Sequence, residues 1–378
     1  MKIVFISDTY LGSPFVVGSR QLSLALSKLG HETAHISSPL NPAAIAFKRH
    51  EPAVQQRMEL WRKGISRQSS SSPWNWVPFS PLPWQIPFVY RLFDWNPFGL
   101  ANAGILKRLQ SVGMHEPDLL LIDEPRMVGI EKTLKPRLCI YRPADRALYR
   151  TGDSRVVRAE RSLLERCQGV IATSSVIIDD LSPLALPHLV LRNGVDHAHF
   201  SPIAGKSGIS TDRPRCVYVG ALDSRFGWQI LSDAARRRPG YDFLLGGPVL
   251  CHVPDLPNNV RLLGTVDYKD VPALLHTCHV GMIPLSKHPL NEGRSPMKFY
   301  EYLAAGLPVV ATSTLELRRR NQEGVLLTED ADGFASALDA QITAKQESRM
   351  DWSALARPWS WDSRAEELLK FVMDLKGS

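Results

Sequence analysis

The chain has 378 residues, the length of two ordinary domains, and its 44% hydrophobic and 22% charged residues are typical of a globular protein. This composition excludes a disordered, collagen-like or polytopic membrane protein. The net charge of +7 is uneven, because residues 1–190 hold 23 Lys and Arg against 16 Asp and Glu, whereas residues 191–378 hold 22 of each. A basic N-terminal half favours an anionic partner, such as a membrane surface, a phosphorylated lipid or nucleic acid. The alternative is that the charge only aids solubility.

The five cysteines are scattered and form no CxxC pair, which argues against a zinc site or a disulfide framework and fits a reducing compartment. The apolar run at the N-terminus is too short for a signal peptide, and no run of about 18 apolar residues predicts a transmembrane helix. We therefore expect a cytoplasmic protein.

The first half alternates short apolar strands with amphipathic helices. Strands are predicted at residues 2–7, 33–37, 119–122, 138–141 and 170–173, and helices before Gly30 and at 156–166. The opening strand, helix and strand form a β-α-β unit, which predicts a doubly wound parallel sheet.

The second half repeats this order. Strands are predicted at 216–222, 241–247, 259–266, 279–285 and 308–312, and helices at 227–238, 270–277, 297–305 and 361–375. Two such halves predict an α/β protein with two doubly wound, Rossmann-like domains that face each other across a cleft. We place these domains at 1–198 and 199–359, and the final helix, within 360–378, could pack back on the first domain.

One segment of the first half does not fit the β/α pattern. A basic amphipathic helix is predicted to begin at Pro52, and after a serine run nine aromatic residues interrupted by six prolines lie between positions 73 and 98. One interpretation is a membrane-docking element and acceptor gate; the other is a loop that folds its aromatic side chains into the core. The candidate membrane and acceptor residues are Arg57, Trp61, Arg62, Lys63, Trp74, Trp76 and Trp84.

The segment from 292 to 312, EGRSPMKFYEYLAAGLPVVAT, carries the most specific chemical signal. A predicted strand ends at Leu285, a polar loop follows, and a helix begins near Met297. The free N–H groups at the start of such a helix bind anions. Lys298 adds a charge for a phosphate, and Glu301 can accept hydrogen bonds from a ribose diol. Together they predict a nucleotide diphosphate site, although both could be ordinary exposed helix residues.

This segment resembles the donor-site signature of GT-B fold glycosyltransferases, especially bacterial family-4-type enzymes with an SPxKxYEYLAAGxPVVAT pattern. NGVD at 193–196 and VGAL at 219–222 resemble two further motifs of that group. The resemblance implies a GT-B fold, a nucleotide diphosphate sugar as donor, and no divalent metal. The donor-binding residues that it implies are Lys298 for the pyrophosphate, Glu301 for the ribose, the backbone around Ser295, Pro296 and Met297 for the diphosphate or sugar, Gly220 in the first loop, and Val266 beside the base.

The sequence departs from the family pattern in two places. Many retaining members carry two glutamates separated by seven residues, whereas eight residues separate Glu292 from Glu301. The usual Arg and Lys after the first strand are reduced to Arg225, which either binds the diphosphate or lies solvated in its loop. A retaining enzyme would use Glu292 to position the sugar and would need no enzymatic base, so this alternative stays open.

A second candidate motif, YRPAD at 141–145, follows a predicted strand at the carboxyl end, where α/β domains bind ligands. This stretch and SPMK at 295–298 are similar to Tyr-Arg-x-x-Asp and Ser-x-Met-Lys segments of xanthan-pathway glucuronosyltransferases. The resemblance implies that Asp145 is the base that deprotonates the acceptor hydroxyl in an inverting transfer. Arg142 or Arg146 could orient Asp145 or attract a phosphate. The alternative is that Asp145 is a helix N-cap.

We therefore predict a cytoplasmic glycosyltransferase that binds peripherally to the inner face of the cell membrane. It would transfer a sugar from a nucleotide diphosphate donor, in first place a UDP-sugar, to a polyprenyl-diphosphate-linked oligosaccharide of a bacterial surface polysaccharide. We expect no cofactor and no metal, since the histidines form no ligand pattern and the DAD triplet at 330–332 is interpreted as an acidic loop. Nucleic acid is not expected as a partner.

Three alternatives remain from the sequence. The first is a retaining family-4-type transferase that uses a GDP- or UDP-sugar. The second is a nucleotide-sugar epimerase of the same fold, and the third is a non-catalytic basic membrane-binding module.

Overall fold

The computed structural model of the chain describes residues 1–13, 16–84, 96–202, 212–347 and 350–377. Within these ranges the strands are β1 (Lys2–Ser7), β2 (Glu32–Ser37), β3 (Trp74–Trp76), β4 (Leu119–Ile122), β5 (Cys139–Tyr141), β6 (Gly169–Ala172), β7 (His188–Val190), β8 (Arg215–Val219), β9 (Asp242–Gly246), β10 (Val260–Gly264), β11 (Val280–Ile283), β12 (Val309–Thr312) and β13 (Val325–Thr328).

The α-helices of the same ranges are α1 (Gly18–Lys28), α2 (Pro42–Lys48), α3 (Pro52–Lys63), α4 (Asn102–Ser111), α5 (Ile130–Leu134), α6 (Ala147–Thr151), α7 (Ser154–Leu164), α8 (Ser175–Asp180), α9 (His197–Phe200), α10 (Trp228–Arg237), α11 (Val271–Leu275), α12 (Pro289–Glu292), α13 (Met297–Ala304), α14 (Leu315–Arg320), α15 (Ala331–Glu347) and α16 (Trp361–Gly377). Short 3₁₀ helices lie at Pro97–Ala101, Pro125–Met127, Tyr268–Asp270 and Ala354–Trp359.

The chain divides into two compact units. Unit 1 comprises Met1–Thr173, Ile177–Arg192 and Arg364–Ser378, and unit 2 comprises Ser174–Val176 and Asn193–Ser363. The change of unit thus falls at Asn193 rather than at residue 199. Most of α16 belongs to unit 1, where Leu375 and Phe371 lie against Gly169 at the start of β6.

Unit 1 is built on a parallel sheet with the strand order β3-β2-β1-β4-β5-β6-β7. The central strand β1 pairs with β2 and with β4, and Ile3 to Ile6 are completely buried. Such unbroken apolar runs are typical of parallel strands that are covered by helices on both faces. The confirmed strand pattern is therefore that of a doubly wound α/β unit.

Unit 2 repeats this architecture with the strand order β10-β9-β8-β11-β12-β13, again with parallel pairing. Two separate cores cover its faces. The core on one face includes Leu231 of α10 and Phe334 of α15, and the core on the other includes Phe299 of α13 and Leu275 of α11. Helices α10 and α13 therefore begin at the same edge of the sheet but on opposite faces.

Each sheet grows in two directions from its first strand. The direction changes between β1 and β4 in unit 1 and between β8 and β11 in unit 2. At such a switch point the loops after the two strands leave toward opposite faces and open a crevice at the carboxyl edge, where α/β proteins bind ligands. These two crevices are the places to look for chemistry.

The aromatic segment of unit 1 contributes a strand that its sequence did not predict. Residues 74–76 form β3, which pairs in parallel with β2 at the edge of the sheet. Trp76 and Trp84 are only 6% and 5% exposed and belong to the same core, where Trp84 lies 5.6 Å from Phe98. The predicted membrane role of Trp76 and Trp84 is therefore wrong, since burial in the core removes both side chains from any surface. Residues 85–95, which carry four more of the predicted interface aromatics, lie outside the described residues.

The predicted basic helix is confirmed as α3, but most of its apolar face is not available to a membrane. Val54, Met58 and Trp61 pack into unit 1, and Trp61 stacks on Phe79 at 5.1 Å. Arg57 donates to the backbone oxygen of Ser38 instead of facing solvent.

The remaining candidates lie nearer the surface. Trp74 is half-buried beneath the guanidinium of Arg67, which lies 4.4 Å from its ring. Arg62 and Lys63 are the two predicted membrane residues whose side chains are exposed.

We predict that Trp76→Ala lowers the free energy of unfolding of unit 1 by about 3–5 kcal/mol, because it removes a large buried side chain from a packed core. Phe47→Ala, at a residue that is 85% exposed, is the matched control and should change it by less than about 0.5 kcal/mol. Urea unfolding followed by far-UV circular dichroism measures both. Equal stability of the two variants would contradict the placement of Trp76.

Candidate functional site

The crevice of unit 2 begins at the glycines that follow β8 and β9. Gly220 has φ +154°, and its N–H donates to the oxygen of Gly246 at 2.8 Å. A Cβ atom at Gly247 would collide with the backbone of Gly220, so only glycine permits this approach. Val266, after β10, reaches the same edge, because its methyl group would lie 2.9 Å from a Cβ atom at Gly246. The structure thus brings Gly220 and Val266 together.

The start of α13 forms the opposite wall of this crevice. Pro296 is the N-cap with extended backbone, no side chain caps the helix, and Met297 is its first residue. The first backbone N–H groups of the helix are therefore left to a ligand or to water. Ser295 fixes this start, since its Oγ accepts from the N–H of Asn193 at 3.1 Å and its backbone oxygen accepts from Asn193 Nδ2 at 2.7 Å. The NGVD motif thus holds the loop that precedes the helix.

Lys298 joins the two walls. Its side chain lies directly over Gly220, where any Cβ atom would collide with Cε and Nζ of the lysine. The ammonium nitrogen lies 5.4 Å from the ring centroid of Tyr218, which donates its hydroxyl to the oxygen of Ala221 at 3.1 Å. A glycine at position 220 is therefore what allows a lysine from α13 to reach the loop after β8.

Burial shifts the pKa of both charged residues of α13 in the direction that favours the neutral form. The pKa of Lys298 is lowered to about 8, chiefly by desolvation and then by the charges of Arg294 and Arg225, while Glu301 acts to raise it. Desolvation also raises the pKa of Glu301 to about 7, against the pull of Lys298. A bound phosphate would favour the protonated lysine, because an opposite charge nearby stabilises the charged form.

Two arginines complete the positive side of the crevice. The side chain of Arg225 binds Asp223 through Nε at 3.0 Å to both carboxylate oxygens, and its backbone oxygen accepts from Asn291 Nδ2 at 2.9 Å. Arg225 is therefore held in place by its own loop and by α12. Arg294 was missed by the sequence reasoning, although it stands directly before Ser295 in the most specific motif. Its charge is the strongest neighbouring charge acting on Lys298.

Glu292 occupies a different position from the other predicted donor residues. One carboxylate oxygen accepts from the N–H of Leu315 at 2.7 Å and so stabilises the start of α14. Glu292 also lines a cavity of about 560 Å³ together with Phe226, Trp228 and Thr314. This cavity opens beside the start of α10, on the face opposite α13. The contact gives Glu292 a structural role, and its role toward a donor sugar stays a prediction.

Part of the chain matches a known protein family. Residues 213–343 match the family described as glycosyl transferases group 1. TuaH of Bacillus subtilis, which is assigned to teichuronic acid biosynthesis as a glycosyltransferase, is 26% identical over 176 residues that cover 41% of this chain and 43% of TuaH. The chain thus matches less than half the length of this relative.

The whole chain is similar to solved structures. Sucrose-phosphate synthase of Thermosynechococcus elongatus gives a TM-score of 0.72 at 17% identity and covers 100% of both chains. HepE of Anabaena in complex with UDP gives 0.68 at 16% identity and covers 99% of this chain and 100% of HepE. The chain therefore has the GT-B fold, and its residues 213–343 form a glycosyl transferases group 1 domain. The crevice around Lys298 therefore lies within the region that the family match covers.

Asp145 lies in unit 1 between β5 and α6 and is half-exposed. It is not a helix cap, because the N-cap of α6 is Arg146. The two arginines predicted to orient it are engaged elsewhere: buried Arg142 contacts Asp123 at 3.3 Å, and Arg146 donates to Asp180 at 2.7 Å. The arginine whose charge acts together with Asp145 is Arg150, which the sequence did not single out.

Two structural features bear on the predicted membrane and metal properties of the chain. In the described part of the chain, no helix is long and apolar enough to cross a membrane. The same residues contain no group of three or more His, Cys, Asp and Glu that could hold a metal ion. Independence of metal ions stays a prediction.

We predict that the affinity for UDP falls up to about tenfold per pH unit above pH 8, because the free enzyme then loses the Lys298 proton that the diphosphate requires. Lys298→Arg keeps its charge throughout this range, and its affinity should not show this fall. Isothermal titration calorimetry between about pH 7 and 9 measures both, a range in which UDP keeps its phosphate charge. Parallel pH profiles of the two proteins would disprove the assignment of Lys298.

Proposed function

We propose that the chain is a glycosyltransferase that transfers a sugar from a UDP-sugar to a polyprenyl-diphosphate-linked oligosaccharide in the synthesis of a bacterial surface polysaccharide. The observation that carries the proposal is Lys298 lying over Gly220 at the uncapped start of α13. A lysine, neighbouring arginines and free backbone N–H groups are suited to a diphosphate. Glu301, one turn later, is suited to the ribose.

Two relatives support the choice of donor and acceptor. HepE has been crystallised with UDP and with UDP-glucose, and a UDP-sugar is accordingly our choice of donor. TuaH is assigned to the synthesis of teichuronic acid, a polysaccharide, which favours an acceptor in surface polysaccharide synthesis. The basic N-terminal half fits an acceptor that carries phosphate.

The proposed reaction is an inverting transfer, as in the xanthan-pathway resemblance. Asp145 takes the proton of the acceptor hydroxyl, whose oxygen attacks the anomeric carbon while the bond to UDP breaks. Lys298, Arg294 and Arg225 neutralise the charge that develops on the leaving diphosphate. We propose that these cations do so without a divalent metal, and that no cofactor is required.

We further propose that the enzyme acts at the inner face of the cell membrane as a peripheral protein. The surface that supports this association is not the predicted tryptophan set but the exposed end of α2. Phe47 is 85% exposed, and Lys48 and Arg49 follow it at the surface. An apolar ring flanked by basic side chains is suited to a bilayer that carries anionic lipids.

We predict that Asp145→Asn lowers the transfer rate by about 10²- to 10⁴-fold, the usual contribution of a general base. The affinity for UDP should not change, because Asp145 belongs to unit 1 and the proposed donor residues belong to unit 2. Transfer from a UDP-sugar panel to a prenyl-diphosphate saccharide measures the rate, and calorimetry measures UDP binding.

Glu292→Gln is the matched control, since glutamine can still accept from the N–H of Leu315. A retaining mechanism would reverse the pattern, with Glu292→Gln more damaging than Asp145→Asn and an unchanged anomeric configuration in the product. Turnover of the UDP-sugar without acceptor would favour the epimerase alternative. Absence of UDP binding would favour the non-catalytic module.

We predict that replacing both Lys48 and Arg49 by glutamate weakens binding to vesicles with anionic phospholipid about tenfold or more, since each basic residue near such a surface contributes about 1 kcal/mol. Co-sedimentation with vesicles measures this, and Arg137→Glu, at another exposed arginine of unit 1, is the control. Equal binding of all three proteins would refute the α2 surface.

A further inference from the structure

The crevice of unit 1 holds a group of charged side chains that the proposed donor site does not use. We term it the arginine cluster, and its members are Asp8, Arg57, Glu124, Arg126 and Arg150. Asp8 directly follows β1, and Glu124 and Arg126 lie just beyond β4. These are the two strands at which the sheet of unit 1 changes direction. The cluster therefore occupies the ligand position of a doubly wound unit.

The centre of the cluster is Arg126, which a buried carboxylate holds in a fixed orientation. Glu124 is 0% exposed, and its two oxygens accept from Nε and Nη2 of Arg126 at 2.7 Å each. The same Nη2 donates to Asp8 Oδ1 at 2.9 Å. Although burial acts to raise it, the pKa of Asp8 lies below its usual value, because Arg126, Arg150 and Arg57 surround the carboxylate. Asp8 is therefore ionised near neutral pH and is a weaker base than an ordinary aspartate.

Arg150 is held much more loosely than Arg126. Its contacts to Asp8 and to Glu124 are 3.4 and 3.6 Å long, compared with about 2.7–2.9 Å for a charge-assisted hydrogen bond. The side chain is 26% exposed, and that of Asp8 is 47% exposed, so water reaches this side of the cluster. Arg150 can therefore exchange these contacts for a ligand without unfolding its surroundings.

The cluster contains three guanidinium groups and two carboxylates. A cluster that only stabilised the fold would pair its charges and close them off, because unpaired buried charge is costly. Among these five residues the positive charges outnumber the negative ones by one, although Asp145 and Glu160 also act on Arg150, and the loosest cation faces solvent. Arg150 also acts electrostatically on Asp145, so an anion held by Arg150 would lie near the proposed base.

We propose that the arginine cluster binds the diphosphate of the acceptor, with Arg150 as the residue that changes partners when the acceptor arrives. This inference rests on the proposed function, since it names the site of the anionic group in the same acceptor. The chemistry recognised is a phosphate or diphosphate, which a lipid-linked acceptor or a free anion could supply.

The test compares farnesyl diphosphate and inorganic pyrophosphate as ligands of the full-length protein, measured by calorimetry with saturating UDP present to occupy the site of unit 2. Arg150→Gln should weaken the binding of farnesyl diphosphate at least tenfold and leave the affinity for UDP unchanged. Arg158→Gln, at an exposed arginine of α7, is the matched control and should bind both ligands as the wild type does. Melting temperatures check that each variant is folded.

The reciprocal variant separates this inference from the proposed function. Lys298→Met should lose UDP binding and keep farnesyl diphosphate binding; full UDP binding by this variant would overturn the donor assignment alone. Unchanged farnesyl diphosphate binding by Arg150→Gln would overturn the arginine cluster as acceptor site. If Arg150→Gln weakens the binding of pyrophosphate and of farnesyl diphosphate to the same extent, the cluster is an anion site. That result would contradict a preference of the cluster for a lipid-linked diphosphate.

Discussion

Parallel pairing of the strands is the constraint on which the rest of this structure depends. Because the observed strand pairs of each sheet are parallel, all carboxyl ends fall on one edge of the sheet. Loop residues that are far apart in sequence meet at that edge. Lys298 reaches Gly220 in this way, and Arg126 reaches Asp8 across β1 and β4. The charged groups that carry the proposed chemistry are thus collected by topology and not by local sequence.

Collecting charges at a crevice opposes folding near neutral pH. Lys298, with a pKa lowered to about 8, disfavours the folded state at any pH below that value, where it is protonated. Glu301, with a pKa raised to about 7, disfavours it at any pH above that value, where it is ionised. Both groups are therefore mostly charged midway between pH 7 and 8, where both penalties act. A nucleotide diphosphate offsets the first, and such strain at a site is typical of residues selected for function.

Much of the fold and part of the site could be predicted from the sequence. Short, unbroken apolar strands and the motif around Lys298 are local signals, and the structure bears out both the α/β class and the placement of α13. Strand β3 has three residues, which are too few to show the alternation of apolar and polar residues that predicts a strand, and it lies among prolines. Its tryptophans therefore looked like interface residues, although the pairing with β2 carries Trp76 into the core. The arginine cluster was equally hidden, since its members lie between positions 8 and 150 and only the sheet brings them together.

The basic excess of the N-terminal half takes two physically different forms. Helix α3 shows the division, because Arg57 turns inward to Ser38 whereas Arg62 and Lys63 face solvent. Exposed charges act on a membrane through water and are screened over about 8–10 Å at physiological salt, whereas partly buried arginines are screened far less. Recognition of an acceptor diphosphate by the cluster should therefore persist at ionic strengths that weaken attachment to the bilayer. Composition alone predicts an anionic partner. The burial of individual basic residues distinguishes those suited to a bound ligand from those suited to a membrane surface.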